Sequence, residues 1–480
     1  MNNITQIGRL STLLIVACTI SSSVAYAQKP TLIYTTETEK WVEAKRAIKP
    51  ITLDENTLDI VVYDQELQTI DGVGGTFNEI GWNALQALSD SQVEEVMQAL
   101  FSGEGCNFSM ARIPVGSSDY ALSYYSCCDV NEDFVMRDFN IDRDRYILIP
   151  YVKAAKSIRP DLQVWASPWS PPSWMKINKH YSTRGGGMEG RDEGNKMPEG
   201  ADVFNHATAF NMQERYLKAY ALYFSKFAQA YKNEGVELFA IMPQNEIAYA
   251  PNWPSCTWRA EDMAYFIGNF MGPQFEADGV DTKIWLGTIN WSRPEYCRLI
   301  LDDDKASKYI AGVGFQWAGE RALPTISKEY PHLKFMQSEN KCGENENNWT
   351  SLENSWKSVV HYMTNGCNAY TYWNMVLDES GSSAWGWPQN SLVVVDRNNQ
   401  EVRYTDEFYL FKHFSHFVQP GSKMLKSSDG SNHIAFEMTD GRRVLMIYNP
   451  NDEVKIYNIK VGETLVAVEL KAKSINSIVI

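Results

Sequence analysis

The chain has 480 residues, 44% of them hydrophobic, enough for one large domain with a deep core plus a smaller module. A net charge of −15 speaks against a nucleic-acid partner, because phosphate binding needs a basic face. The composition excludes bulk disorder, and an aromatic share of 12%, with 15 Trp and 25 Tyr, can supply flat faces for sugar stacking besides core packing.

The N-terminus reads as an export leader, residues 1–27. Arg9 precedes the apolar stretch Leu10 to Ile20, and Ala25-Tyr26-Ala27 offers a small-x-small cleavage site before Gln28. Ile15-Val16-Ala17-Cys18 would also suit lipidation at Cys18. Cleavage after Ala27 is preferred because that site lies at the usual distance, and either route makes the protein periplasmic or extracellular. No later apolar run is long and unbroken enough to cross a bilayer. With Cys18 in the leader, Cys106, Cys127, Cys128, Cys256, Cys297, Cys342 and Cys367 remain. Their number is odd, so at least one is free or pairs between chains, and no Cys-x2-Cys pair suggests zinc.

Residues 28–65 alternate weakly, as in "TLIYTTETEKW" and "TLDIVVYD", and read as short strands. Over 66–418 a different rhythm holds, with apolar runs alternating with longer helical patterns eight times. The strand candidates are "IDGVGGTF" from Ile70, "NFSMARIPVG" from Asn107, "LQVWASPWS" from Leu162 and "VELFAIMPQNE" from Val236. They continue with "TKIWLGTIN" from Thr282, "IAGVGFQWA" from Ile310, "LKFMQSE" from Leu333 and "CNAYTYWN" from Cys367. Between them, "SDSQVEEVMQALF" opens with a capping residue, Ser89, and places Val93, Val96, Met97 and Leu100 on one helical face. The segment from Asn211 is long, periodic and stopped by Gly235, and "SWKSVVHYMTNG" from Ser355 ends at Gly366.

Eight strand-helix units predict an α/β fold of the (β/α)8 barrel type. An open doubly wound sheet would need a glycine-rich phosphate turn after its first strand, and "GVGGTFNE" is not that fingerprint. The glycine cluster near Arg184 follows no strand and reads as a flexible insert in the loop Tyr181 to Gly200. His413 and His416 in "FKHFSHF" have a spacing open to a metal, but their flanking Phe residues favour an amphipathic helix, and no metal or cofactor is expected. Over 419–480, "HIAFEM", "RRVLMIYNP", "VKIYNIKV", "TLVAVEL" and "INSIVI" predict a small β-sandwich, which the N-terminal strands would complete.

Barrel enzymes keep their chemistry at the C-terminal ends of the strands. There the second strand ends near Arg112, with Asp119 close after it, and the third in Trp169. The fourth ends in Asn245-Glu246, the sixth in Gln316-Trp317, the seventh in Gln337-Ser338-Glu339 and the eighth in Trp373-Asn374. Two glutamates thus cap strands that face each other across the mouth. Such a pair suits glycosidic cleavage, one carboxyl protonating the leaving oxygen while the other attacks the sugar carbon or activates water. Asn245 can hydrogen-bond a 2-hydroxyl; Trp169, Trp317 and Trp373 offer an apolar floor for a pyranose; Arg112 and Asp119 can read hydroxyls or hold a glutamate ionised. Glu79, Glu344 and Glu346 default to surface or supporting roles.

The pieces "ARIPVGSSDY", "ASPWSPPSWMK", "MPQNE", "FMQSE" and "YTYWN", in this order, resemble glycoside hydrolase family 30, the glucosylceramidase-like branch of retaining β-glycosidases. The resemblance implies Glu246 as acid/base and Glu339 as nucleophile. It implies that Arg112, Asp119, Trp169, Asn245, Trp317 and Trp373 line the subsite of the sugar under attack. There are departures: Asn78-Glu79 where the family often has Thr-Asp, Gln316 where it usually has His, and Ala318 where Tyr is common. The expected function is an exported retaining hydrolase of β-glucosidic bonds, a β-1,6-glucanase first and a glucosylceramidase second, with a β-glucan or other β-glucoside as partner and no stable protein partner implied. A non-catalytic carbohydrate-binding barrel is the alternative from another class; loss of either glutamate would mark it, and both are present.

Overall fold

The computed structural model describes residues 29–52, 57–183 and 207–480. The segment expected to be an export leader, with Cys18, and the expected insert beyond Thr183 lie outside the described residues. Four strands come first: β1 (Thr31–Thr35), β2 (Val42–Glu43), β3 (Ile48–Pro50) and β4 (Ile60–Thr69). The barrel follows, as β5 (Gly72–Thr76), β6 (Met110–Pro114), β7 (Gln163–Ser167), β8 (Leu238–Ile241), β9 (Lys283–Ile289), β10 (Ile310–Gln316), β11 (Lys334–Glu339) and β12 (Ala369–Asn374). These eight close on themselves in chain order, parallel throughout, with β12 pairing back onto β5. Every one lies inside an apolar run that predicted a strand.

The barrel interior is filled by large side chains, among them Met110, Trp165, Met242, Trp285 and Met336. The glycines of β5 are there for packing: a Cβ on Gly74 would stand 1.6 Å from the Met110 carbonyl oxygen, so no larger residue lets β5 lie against β6. The helix Asp90–Phe101 begins at Ser89 with a complete capping box through Gln92, and it buries Val96, Met97 and Leu100, with Val93 half-buried. The helix Glu214–Asn233 ends just before Gly235, whose φ of +82° turns the chain away. The helix Trp349–Thr364 starts earlier than its apolar pattern suggests, because Asn348, in an asparagine-rich stretch that reads as loop, caps it by accepting the Ser351 N–H.

A three-stranded sheet, β13 (Val376–Asp378), β14 (Val393–Asp396) and β15 (Glu401–Tyr404), follows the barrel and was not predicted. The last strands are β16 (Lys423–Ser427), β17 (His433–Glu437), β18 (Arg443–Asn449), β19 (Lys455–Val461), β20 (Thr464–Leu470) and β21 (Ser474–Val479). With β1 to β4 they form one ten-stranded sheet in the order β2-β1-β21-β18-β17-β16-β4-β19-β20-β3, so both chain ends build the side domain. Its own core includes Leu32, Ile60, Leu445, Ile459 and Val468. All seven cysteines among the described residues are buried free thiols.

His413 lies in the helix Asp406–Ser415 and fastens the barrel to the side domain. Its Nδ1 is 2.9 Å from Ser477 Oγ on β21, and its Nε2 is 3.0 Å from Thr35 Oγ1 on β1. Burial holds its pKa down to about 3, so it is a neutral imidazole sharing both nitrogens. Between about pH 6.5 and 3 the unfolded chain therefore binds a proton that the native one does not, and this residue alone makes stability fall on acidification by up to about 1.4 kcal/mol per pH unit. His413→Ala is expected to cost roughly 2–4 kcal/mol at neutral pH, because it removes a buried ring and takes one hydrogen-bond partner from each of two buried hydroxyls, Ser477 and Thr35. Denaturant titration at neutral pH and at pH 5 checks this: the variant starts less stable and loses less on acidification, and a variant as stable as the parent contradicts it.

Candidate active site

The barrel mouth holds a cavity of about 770 Å³ whose walls include Glu246, Glu339, Asp119, Trp169 and Trp317. Glu246 and Glu339 therefore face one space, from β8 and β11. The chain leaves β8 through Asn245 and then Glu246, whose φ is +51°; Trp317, just past β10, has φ +48°. A left-handed backbone is costly for residues with a Cβ and concentrates at functional sites, and here two such residues turn their side chains over the mouth. The Glu246 N–H donates to Thr288 Oγ1 at 2.9 Å, which ties the turn to β9.

Arg112 organises the floor. Its guanidinium donates to Glu339 Oε2 at 2.6 Å, to Asn245 Oδ1 at 2.7 Å, to Ser167 Oγ at 2.8 and 3.2 Å, and to the Ser338 carbonyl at 3.3 Å. It is fully buried, boxed by the rings of Trp169 at 4.3 Å, Trp165 at 4.9 Å and Trp373 at 5.2 Å. Burial lowers its pKa and Glu339 opposes that, but a guanidinium starts so high that it stays charged. Severing such a buried pair costs about 3–5 kcal/mol, so the pair fixes Glu339 in place. The other carboxylate oxygen, Oε1, accepts the Trp317 indole N–H at 3.0 Å. Both oxygens of Glu339 are thus held while one edge of the group remains on the cavity.

Glu246 has a different environment. It is half-buried and forms no ion pair among the described residues. Burial pushes its carboxyl well above the usual range, the carboxylates of Glu339 and Asp119 add to this, and Arg112 and a hydrogen bond from Gln316 pull the other way. Asp119 is also pushed up, by burial and then Glu339, and its Oδ1 has no hydrogen-bond partner among the described residues. Asn245 Oδ1 accepts from three groups, Arg112, Thr288 Oγ1 at 3.0 Å and Gln316 Nε2 at 3.2 Å, which leaves the amide nitrogen as the atom able to meet a ligand. Gln316 is a neutral amide and adds no titrating group beside Glu246.

Of the eight residues that the sequence singles out, Glu246, Glu339, Asp119, Trp169 and Trp317 line the cavity, and Arg112 and Asn245 lie directly beneath. Trp373 is placed differently from the floor expected of it: it is fully buried and packs against Trp169 at 5.0 Å, boxing Arg112. Its position after an apolar strand could not distinguish those two uses. Ser167 and Thr288 were missed, although each is a lone hydroxyl at the end of an apolar run. Glu79 is no surface residue: it is buried, pairs with both Arg143 Nε and Nη2 at 2.7 Å, and accepts the Leu122 N–H.

Residues 70–418 match the glycosyl hydrolase family 30 TIM-barrel domain, and residues 421–478 match that family's beta sandwich domain. Among known proteins, the chain is 27% identical to putative glucosylceramidase 3 of Caenorhabditis elegans, over 75% of this chain and 68% of that one. It is 26% identical to endo-1,6-beta-D-glucanase neg1 of Aspergillus fumigatus, over 85% of each. Among solved structures, SrfJ from Salmonella typhimurium shares the fold with a TM-score of 0.82 at 23% identity, covering 94% of this chain and 99% of the other.

Proposed function

The chain belongs to glycosyl hydrolase family 30 and is a glycoside hydrolase, and from that premise we propose that it cleaves β-glucosidic bonds with retention, acting on a β-1,6-glucan outside the cytoplasm. The observation that carries this reading is the contrast between two carboxyls on one cavity: Glu339 held by an ion pair with Arg112 and by the Trp317 indole N–H, Glu246 without an ion pair among the described residues and raised toward the protonated form. Glu339 attacks the anomeric carbon while Glu246 gives its proton to the leaving oxygen. Glu246 then takes a proton from the water that releases the sugar. Once Glu339 carries the sugar its charge is gone, and the pKa of Glu246 falls, as a base requires.

The choice of β-1,6-glucan is supported by the relative named as an endo-1,6-beta-D-glucanase, which aligns over 85% of each chain, and by the charged groups Glu320, Arg321 and Lys341 on the cavity wall, which suit hydroxyls better than alkyl chains. Glucosylceramide is the second reading, favoured by the relative named as a putative glucosylceramidase. Product analysis on β-1,3-, β-1,4- and β-1,6-glucans, xylan and glucosylceramide tests the choice. Cleavage of the β-1,6-glucan with the β-anomer appearing first by proton NMR is expected; preference for xylan, or the α-anomer first, overturns it.

The charge contrast also sets the pH dependence. Rate on a substrate with a poor leaving group should fall as pH rises through the elevated pKa of Glu246, because the acid loses its proton. For Glu246→Gln acting on an activated aryl glucoside, that basic limb should vanish. A basic limb that survives in the variant assigns it to another group.

A further inference from the structure

Next to the two carboxyls the cavity carries an aromatic shelf that the reaction itself does not use. Tyr249 and Trp253 follow Glu246 in the loop after β8, and Trp387 comes from the segment after β12, on the opposite side of the barrel. The rings of Trp253 and Trp387 meet at 4.2 Å with a 44° tilt, and Tyr249 packs edge-on against Trp253 at 5.7 Å. All three line the cavity, Trp253 and Trp387 half-buried and Tyr249 exposed. A second aromatic layer anchors them. Tyr124 packs against Trp385 at 5.1 Å and stacks on Tyr181 at 5.3 Å, while its hydroxyl donates to the Asn252 carbonyl at 3.4 Å. Tyr120 donates to the Gly381 carbonyl at 3.0 Å, so the segments after β6, β7, β8 and β12 are fastened to one another.

The position of the shelf gives its use. The Tyr249 N–H donates to the Glu246 carbonyl at 3.0 Å, so the shelf begins one turn from the acid. An acid that protonates the leaving oxygen has the leaving group beside it, and groups on its own loop flank that side. The same cavity also carries the charged side chains of Arg321 and Lys341 on its wall. A flat apolar face with a charged edge matches a pyranose, whose C–H face stacks while its rim of hydroxyls is hydrogen-bonded; a pair of alkyl chains would want apolar surface on both sides.

We propose that Trp253 and Trp387, braced by Tyr249, form the leaving-group subsite and select a pyranose ring there. This rests on the roles of Glu246 and Glu339 given above. The same subsite then receives sugar acceptors: an acceptor hydroxyl oxygen bonds to the anomeric carbon, the bond from that carbon to Glu339 breaks and returns the carboxylate, and the hydroxyl proton passes to Glu246.

The test traps the full-length enzyme with 2-deoxy-2-fluoro-β-glucosyl fluoride, removes excess reagent, and follows recovery of activity in buffer alone, with methyl β-glucoside or gentiobiose, and with hexanol. Sugar acceptors should speed recovery saturably and hexanol should not. In Trp387→Ala and Trp253→Ala the ratio of acceptor-driven to water-driven recovery should fall about tenfold, the loss of one stacking face. Trp387→Phe, which keeps a ring, should restore most of the ratio. A ratio that stays at the parent value in the alanine variants, whether both rates hold or drop together, overturns the proposal, as does recovery driven by hexanol and not by sugars. If the parent enzyme never forms the trapped species, the roles of the two glutamates fail first and the subsite falls with them.

Discussion

Glu339→Gln is expected to abolish turnover on every substrate, activated or not, with a loss on the order of 10⁵–10⁶ in kcat. An amide keeps the size of the side chain and can still accept a hydrogen bond from Arg112 or Trp317, but it supplies no anionic oxygen to bond the anomeric carbon. The loss should not depend on the leaving group, because both steps of double displacement pass through this residue. A variant that folds, as judged by a cooperative melting transition, and yet keeps activity on aryl glucosides removes Glu339 from the nucleophile role.

Glu246→Ala should behave differently. On a glucan or another substrate with a poor leaving group, loss of the general acid is expected to cost about 10²–10⁴ in rate. On a dinitrophenyl glucoside, whose leaving group needs no proton, formation of the glycosyl-enzyme should survive and its hydrolysis become limiting. The alanine leaves room for azide, which needs no general base, so added azide should accelerate turnover and release β-glucosyl azide. Equal losses on both substrates, with no azide effect, contradict the division of labour between the two glutamates. An α-configured azide product would contradict retention.

The barrel was legible because its strands are buried on both faces and read as apolar runs ending in polar residues at the mouth. That pattern also exposed Glu246 and Glu339, since a charged residue directly after such a run has to face the cavity or a partner. Three features lay beyond the pattern. Strand β16 carries two lysines and a Ser-Ser-Asp-Gly exit, so it reads as loop; Met424 and Leu425, buried between β17 and β4, make it a strand. The small sheet β13 to β15 is built from runs of three or four residues, too short for alternation to register. Trp373 looked like a sugar platform because tryptophan at a barrel rim suits one, and its burial against Arg112 depends on neighbours from β6 and from the segment after β7 that no local window contains. Arg112 carries the same lesson: its charge was visible in the sequence, but only the fold shows it holding Glu339 and Asn245 at once.

The central claim is that Glu339 forms the bond to the sugar while Glu246 handles the proton. The most direct measurement is peptide mapping of the enzyme inactivated by 2-deoxy-2-fluoro-β-glucosyl fluoride. The account predicts an intact mass raised by one fluoroglucosyl unit and fragmentation that places the label on Glu339. A label on Glu246 or Asp119, or an inverted product with no label on any residue, would contradict it.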